Sequence, residues 1–86
     1  MCDTHNKLYV LRCENGKYYG GKCSAERFRA RMDEHFSGRG SSWTVLHRPI
    51  ECILVEDMCD SLDEDHMVLN QMREHGIDNV RGGSHS

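Results

Sequence analysis

The chain has 86 residues and a mass of 9.9 kDa, which fits one domain over residues 1–86 and excludes a catalytic module joined to a separate binding module. Hydrophobic residues at 37% and charged residues at 29% describe a globular chain, not a disordered one, and a core this small excludes a large cofactor or a deep substrate tunnel. The formal net charge of -3 argues at first against a nucleic-acid partner, because phosphate binding draws on excess Lys and Arg.

In chain order, Lys7 to Arg12 is short, aromatic and β-branched, and Asn15-Gly16 follows it as a strong hairpin signal, with Lys17 to Gly21 as the return strand. Ser24 suits the cap of a helix over Ala25 to Ser37, with Gly38 just past its end. On a helical wheel Ala25, Phe28, Met32 and Phe36 form the buried stripe, Arg31 and His35 share one flank, Arg29 takes the other and Arg27 turns toward solvent. Gly38 to Ser42 reads as a loop. Pro49 leads into Ile50 to Glu56, an apolar run expected to be a third and central strand. Ser61-Leu62-Asp63-Glu64 matches a capping box and opens a second helix that Gly76 ends, with Leu62, Val68, Leu69 and Met72 toward the core and Glu64 on a flank. Ile77 to Ser86 is expected to be irregular. The expected fold is α+β, a small three-stranded antiparallel sheet flanked by helices.

Divided after Ile50, the charge takes on meaning. Residues 1–50 hold nine Lys and Arg against five acids, a net of +4, and residues 51–86 hold Arg73 and Arg81 against nine acids, a net of -7. Such asymmetry suits a protein that grips an anion with one surface, and equally two halves that neutralise each other. The five cysteines are odd in number and no signal peptide precedes them, so an intracellular, reducing compartment is expected and a disulfide framework is not. The longest apolar run, Cys52 to Val55, is too short to cross a membrane.

Tyr9 in Leu8-Tyr9-Val10, Tyr19-Gly20-Gly21-Lys22 on the next strand, and Arg31 and His35 on the helix resemble the GIY-YIG nuclease superfamily. The segment Gly38 to Thr44, His47-Arg48-Pro49 after it, and the closing run Gly76 to Ser84 are similar to its compact single-domain members, so that the resemblance covers Lys7 to Ser84. Two positions depart from the pattern: Lys7 stands where a leading glycine is usual, and Gly20 where a β-branched residue is usual.

The resemblance implies a metal-dependent DNA endonuclease. One divalent ion, Mg²⁺ or Mn²⁺, would be bound by Glu64, with Asp63 and Asp65 as alternates. Arg31 would stabilise charge developing on the phosphoryl group, and Tyr9 would act as or relay to the general base, supported by Tyr19 and His35. A tyrosine of ordinary pKa near 10 is a poor base at neutral pH, so nearby cations or metal-bound water would have to lower it. Lys22, Arg27, Arg29, Arg39, His47, Arg48 and Asn79 are the candidate contacts to duplex or branched DNA. Glu64 has a second reading as half of a capping box, and Asn79 as a bridge between backbone groups in the C-terminal loop. Tyr18 and Trp43 suit stacking on bases, although core burial suits Trp43 better. A homodimer or a separate targeting subunit would supply what so short a chain lacks. Two other classes remain open: a nucleic-acid-binding remnant without catalysis, and a small zinc-binding module, for which the spacings hold no C-x-x-C pair.

Overall fold

The computed structural model describes residues 5–82. Strand β1 (Asn6–Cys13) turns through Glu14–Gly16 into β2 (Tyr18–Ser24). The turn is the one the Asn-Gly pair predicts, with φ of 64° at Asn15 and 71° at Gly16, a left-handed region that these two residues enter at low cost. Helix α1 (Phe28–Phe36) begins three residues later than the Ser24 signal. The Ser24 hydroxyl does accept the Arg27 N–H, at 3.3 Å, but it closes a turn that precedes the helix. Gly38 to Ser41 forms the expected loop, and an unexpected short helix, α2 (Ser42–Leu46), begins at the last residue expected in that loop, capped by the Ser41 side chain, which accepts the Thr44 N–H. Strand β3 (Pro49–Asp57), helix α3 (Asp63–His75) and strand β4 (Val80–Gly82) complete the order.

The architecture is α+β, but the sheet has four strands and is mixed. Its order is β3-β1-β2-β4, with β1 antiparallel to both neighbours and β4 parallel to β2. Strand β3 therefore lies at the edge and not in the centre, and Ile50, Ile53 and Val55 are exposed on it. The segment taken as irregular contributes a helical turn, Ile77–Asn79, and then β4. Gly82 has a φ of 146°, and a Cβ there would stand 1.8 Å from the Gly20 carbonyl oxygen, so this parallel pairing requires glycine.

Side-chain alternation along β1 divides the core into two layers. Leu8 and Val10 pack with Met58, Met67, Val68, Met72 and Val80 beneath α3. Tyr9, Leu11 and Cys13 face the other way, toward Tyr19, Cys23, Phe28 and Met32 under α1. The predicted stripe on α1 holds only for Phe28 and Met32; Ala25 is exposed, Phe36 is 39% exposed, and the fully buried residue of the helix is His35. On α3, Met67, Val68 and Met72 are buried, whereas Leu62 and Leu69 are 56% and 43% exposed. Gly76, with a φ of 99°, ends α3 as expected.

The expected capping box does not form. Asp63 is the residue that accepts backbone N–H groups, from Cys59 at 2.8 Å and Asp60 at 2.9 Å, so Glu64 is not used in a cap. Part of the charge asymmetry goes into the fold: Lys7 pairs with Asp57 and Arg12 with Glu51 across β1 and β3. Among the described cysteines, Cys13, Cys23 and Cys52 are free thiols and Cys59 is disulfide-bonded. Among the described residues no helix is long and apolar enough to cross a membrane.

Candidate active site

Four of the predicted site residues come together on the α1 face of the sheet. Tyr9 is brought opposite Gly21 by the β1–β2 register, Tyr19 lies two residues before Gly21, and Arg31 and His35 are one helical turn apart on α1. The Tyr9 and Tyr19 rings are 6.4 Å apart between centroids, and His35 lies 5.6 Å from the first and 5.2 Å from the second. Tyr9 is 1% exposed and His35 0%, so their polar atoms must be satisfied within the protein. The Tyr9 hydroxyl and His35 Nε2 are 2.8 Å apart, and His35 Nδ1 is 3.1 Å from the Thr44 hydroxyl. The Arg31 guanidinium reaches the Tyr9 hydroxyl and donates to Glu34 Oε1 at 3.1 Å.

Burial and charge set the protonation states. Burial raises the pKa of Tyr9, against the lowering influence of Arg31, so the expectation of a lowered tyrosine pKa is reversed and Tyr9 is a phenol at neutral pH. Burial also pushes His35 down to about 4; the Arg31 charge adds to that effect and Glu34 opposes it. Desolvation alone would weaken the Arg31 cation, but its bonds to Tyr9 and Glu34 outweigh that and its pKa is raised. Glu34 is held below its ordinary value chiefly by its bond to Arg31. The site thus has a fixed cation at its mouth, and a neutral phenol and a neutral imidazole behind it.

Arg31 opens onto a concavity of about 420 Å³ lined by Lys22, Cys23, Ser24, Arg27, Arg31 and Glu34. Three cations against one carboxylate make it a surface for an anion. Glu64 stands on α3, with Oε1 4.0 Å from Lys22 Nζ and its side chain 16% exposed. Desolvation raises its pKa, with Asp65 adding to the rise and Lys22 opposing it. Lys22 is therefore the link between Glu64 and the concavity.

The remaining candidates are more scattered. Arg27 is 3.7 Å from Glu34 on the concavity wall. Arg29 is exposed on α1, turned about 200° from Arg31. Arg39 is exposed, and its Nε donates to the Ser37 hydroxyl. Arg48 is exposed, and its carbonyl accepts the Glu14 N–H beside the hairpin turn. His47 packs edge-on to Trp43, with Nδ1 buried and lacking a hydrogen-bond partner. Asn79 takes the local role: its Oδ1 accepts from Lys17 Nζ at 2.8 Å and its Nδ2 donates to the His75 carbonyl at 2.7 Å. Trp43 is half-buried, donates to the Tyr18 carbonyl and carries Arg81 over its ring, while Tyr18 stacks on His75.

Sequence reasoning missed the residues that support His35. Ser41-x-x-Thr44 is a helix-cap spacing and was the available signal. A Cβ on Gly40 would lie 2.3 Å from His35 Nδ1, and one on Gly21 would lie 2.6 Å from the Tyr9 hydroxyl oxygen and 2.8 Å from its Cζ. Gly21→Ala is expected to displace Tyr9 from His35 and to lower stability by about 2 kcal/mol. Chemical denaturation checks this, and wild-type stability in the variant would contradict so tight a packing.

No family model and no solved structure matches the chain. A UPF0213 protein of Fusobacterium nucleatum is 39% identical over 54 residues, which is 63% of this chain and 51% of that protein. A UPF0213 protein of Staphylococcus epidermidis is 24% identical over 79 residues, 88% of this chain and 94% of the relative. The UPF0213 protein YazA of Bacillus subtilis is 31% identical over 55 residues, 63% of this chain and 54% of the relative. The chain is thus similar to UPF0213 proteins, and it spans about half the length of the Fusobacterium and Bacillus relatives.

Proposed function

We propose that this chain is a metal-dependent DNA endonuclease of the GIY-YIG type, which hydrolyses phosphodiester bonds. The observation that carries the reading is the line of polar contacts from Arg31 through Tyr9 and His35 to Thr44, opening onto a basic concavity. A phosphodiester binds there as an anion, with Lys22 and Arg27 on its backbone and Arg31 on the oxygens of the phosphoryl group under attack. The Arg31 charge is already in place before the transition state forms, which is the arrangement that stabilises developing charge most effectively. Tyr9 passes a proton instead of holding a negative charge. It takes one from the attacking water as its own moves to His35 Nε2, so that Tyr9 stays neutral throughout and the positive charge gained by His35 is matched by the negative charge that the water oxygen brings to the phosphoryl group.

Glu64 fits the divalent ion. Its carboxylate is poorly solvated and is not used to cap α3, and Lys22 at 4.0 Å offsets its charge only in part, so a divalent cation would stabilise the ionised form further. Mg²⁺ or Mn²⁺ on one carboxylate, completed by water and phosphate oxygens, would polarise the phosphoryl group and aid departure of the leaving oxygen. Among the described residues no group of three His, Cys, Asp or Glu side chains is arranged to hold a metal, so the ion proposed here would rest on one carboxylate together with water and substrate, and metal analysis of the purified protein separates it from tightly bound zinc.

The test is cleavage of supercoiled plasmid and of branched DNA with Mg²⁺ or Mn²⁺. Glu64→Gln keeps the shape and removes the charge, and it is expected to lower cleavage about 10²-fold. Unchanged cleavage would move the ion to Asp63 or Asp65. Salt-sensitive DNA binding with no cleavage by the wild-type chain would leave a binding protein of the same fold.

A further inference from the structure

We propose that Thr44 is a positioning residue for proton transfer, holding His35 as the tautomer protonated on Nδ1 so that Nε2 stays open to the proton of Tyr9. The donor and acceptor inventory leads to this arrangement. Tyr9 is buried, so its hydroxyl proton needs an acceptor. Arg31 carries only donors and cannot be that acceptor, which leaves His35 Nε2 at 2.8 Å. With Nε2 accepting, a neutral His35 carries its proton on Nδ1 and donates it to the Thr44 hydroxyl at 3.1 Å. Thr44 can receive it because its own proton has a separate acceptor, the Ser41 carbonyl at 3.1 Å. All the bonds from Tyr9 to Ser41 then run in one direction.

The segment around Thr44 is built to keep this direction. Ser41 caps α2 by accepting the Thr44 N–H at 3.2 Å, which fixes the backbone that carries the hydroxyl. Gly40 leaves the space that His35 Nδ1 and Thr44 Oγ1 fill. The ionisable and charged groups facing His35 are Tyr9 from β1, Tyr19 from β2, and Arg31 and Glu34 from its own helix; α2 contributes the Thr44 hydroxyl. When His35 takes the Tyr9 proton, its Nδ1–H keeps the same bond to Thr44, so no group has to rotate. A ring protonated on Nε2 would instead donate to Tyr9 and have no lone pair there to receive a proton.

The inference rests on the nuclease reading for its effect on cleavage, but the tautomer can be read independently. In a ¹⁵N-labelled full chain at neutral pH, the His35 ring is expected to show a protonated Nδ1 and a bare Nε2. Thr44→Ser is expected to keep this pattern and near wild-type cleavage. Thr44→Val is expected to move the proton to Nε2 and to lower cleavage about 10²-fold. A wild-type ring protonated on Nε2 would overturn the proposal, as would Thr44→Val with an unchanged tautomer. If the valine variant fails to fold, the wild-type and serine spectra decide. If the chain cleaves no DNA, those spectra still decide the tautomer, and the nuclease reading falls separately.

Discussion

Arg31→Ala is expected to lower DNA cleavage about 10³-fold while the chain stays folded. Arg31 packs no core layer: its side chain is 30% exposed, and its partners are Glu34 and the Tyr9 hydroxyl. Its loss would remove the cation proposed to meet the phosphoryl group. The loss also removes an influence that lowers the pKa of Tyr9, and one of the two that lower His35. The acid limb of the pH profile should therefore move upward as the rate falls, which a purely structural arginine would not produce. Arg31→Lys restores the charge without the planar fork that addresses two oxygens at once, so its rescue should be partial. Initial rates on plasmid DNA, set beside thermal melts of each variant, check the expectation. Wild-type rates in Arg31→Ala at equal metal concentration would remove Arg31 from the chemistry.

How much of this was legible in the sequence varied with the physics that decides each feature. The hairpin and the end of α3 were legible because Asn15, Gly16 and Gly76 adopt backbone angles that few other residues tolerate. Strand β4 was not: three residues carry no usable periodicity, and the pairing depends on Gly82 meeting the Gly20 carbonyl, a contact between distant segments. The apolar run of β3 reads as a central strand by composition. It lies at the edge because β1 pairs with both β2 and β3 and, among the described residues, no second strand pairs with β3.

In the candidate site, motif and spacing single out Tyr9, Tyr19, Arg31 and His35, which the fold brings together, but the burial of His35 was hidden. A wheel sorts polar residues outward, and nothing local shows that Tyr9 and Thr44 will satisfy both ring nitrogens. The charge pattern was half informative. Of the basic residues in the first half, Lys7 and Arg12 serve cross-strand pairs with β3, while Lys22, Arg27 and Arg31 gather at the concavity. Cross-strand pairing and the concavity therefore divide these basic residues between them.

His35 should also make stability depend on pH in a defined direction. Its ring is buried neutral, with a pKa pushed down to about 4 from an ordinary 6.5. The unfolded chain binds a proton there between those values and the folded chain does not, so the contribution is fully present above pH 6.5 and is lost as pH falls toward about 4. At about 1.4 kcal/mol per pH unit, the loss across that window is about 3 kcal/mol. His35→Gln has no titrating group at this position, so its unfolding free energy should fall less than that of the wild-type chain by about this amount between about pH 7 and about pH 4. Glu34, held low, loses its contribution as pH falls, whereas Glu64, held high, gains. Both remain in the variant and largely cancel in the difference. Denaturant titrations at the two pH values measure it, and equal slopes in the two proteins would mean that the ring is hydrated. The same depression is sensitive to ligand. The Arg31 charge is one of its causes, and a phosphodiester seated on Arg31 would offset that charge. Substrate binding should then raise the pKa of His35 and prepare it to take the Tyr9 proton.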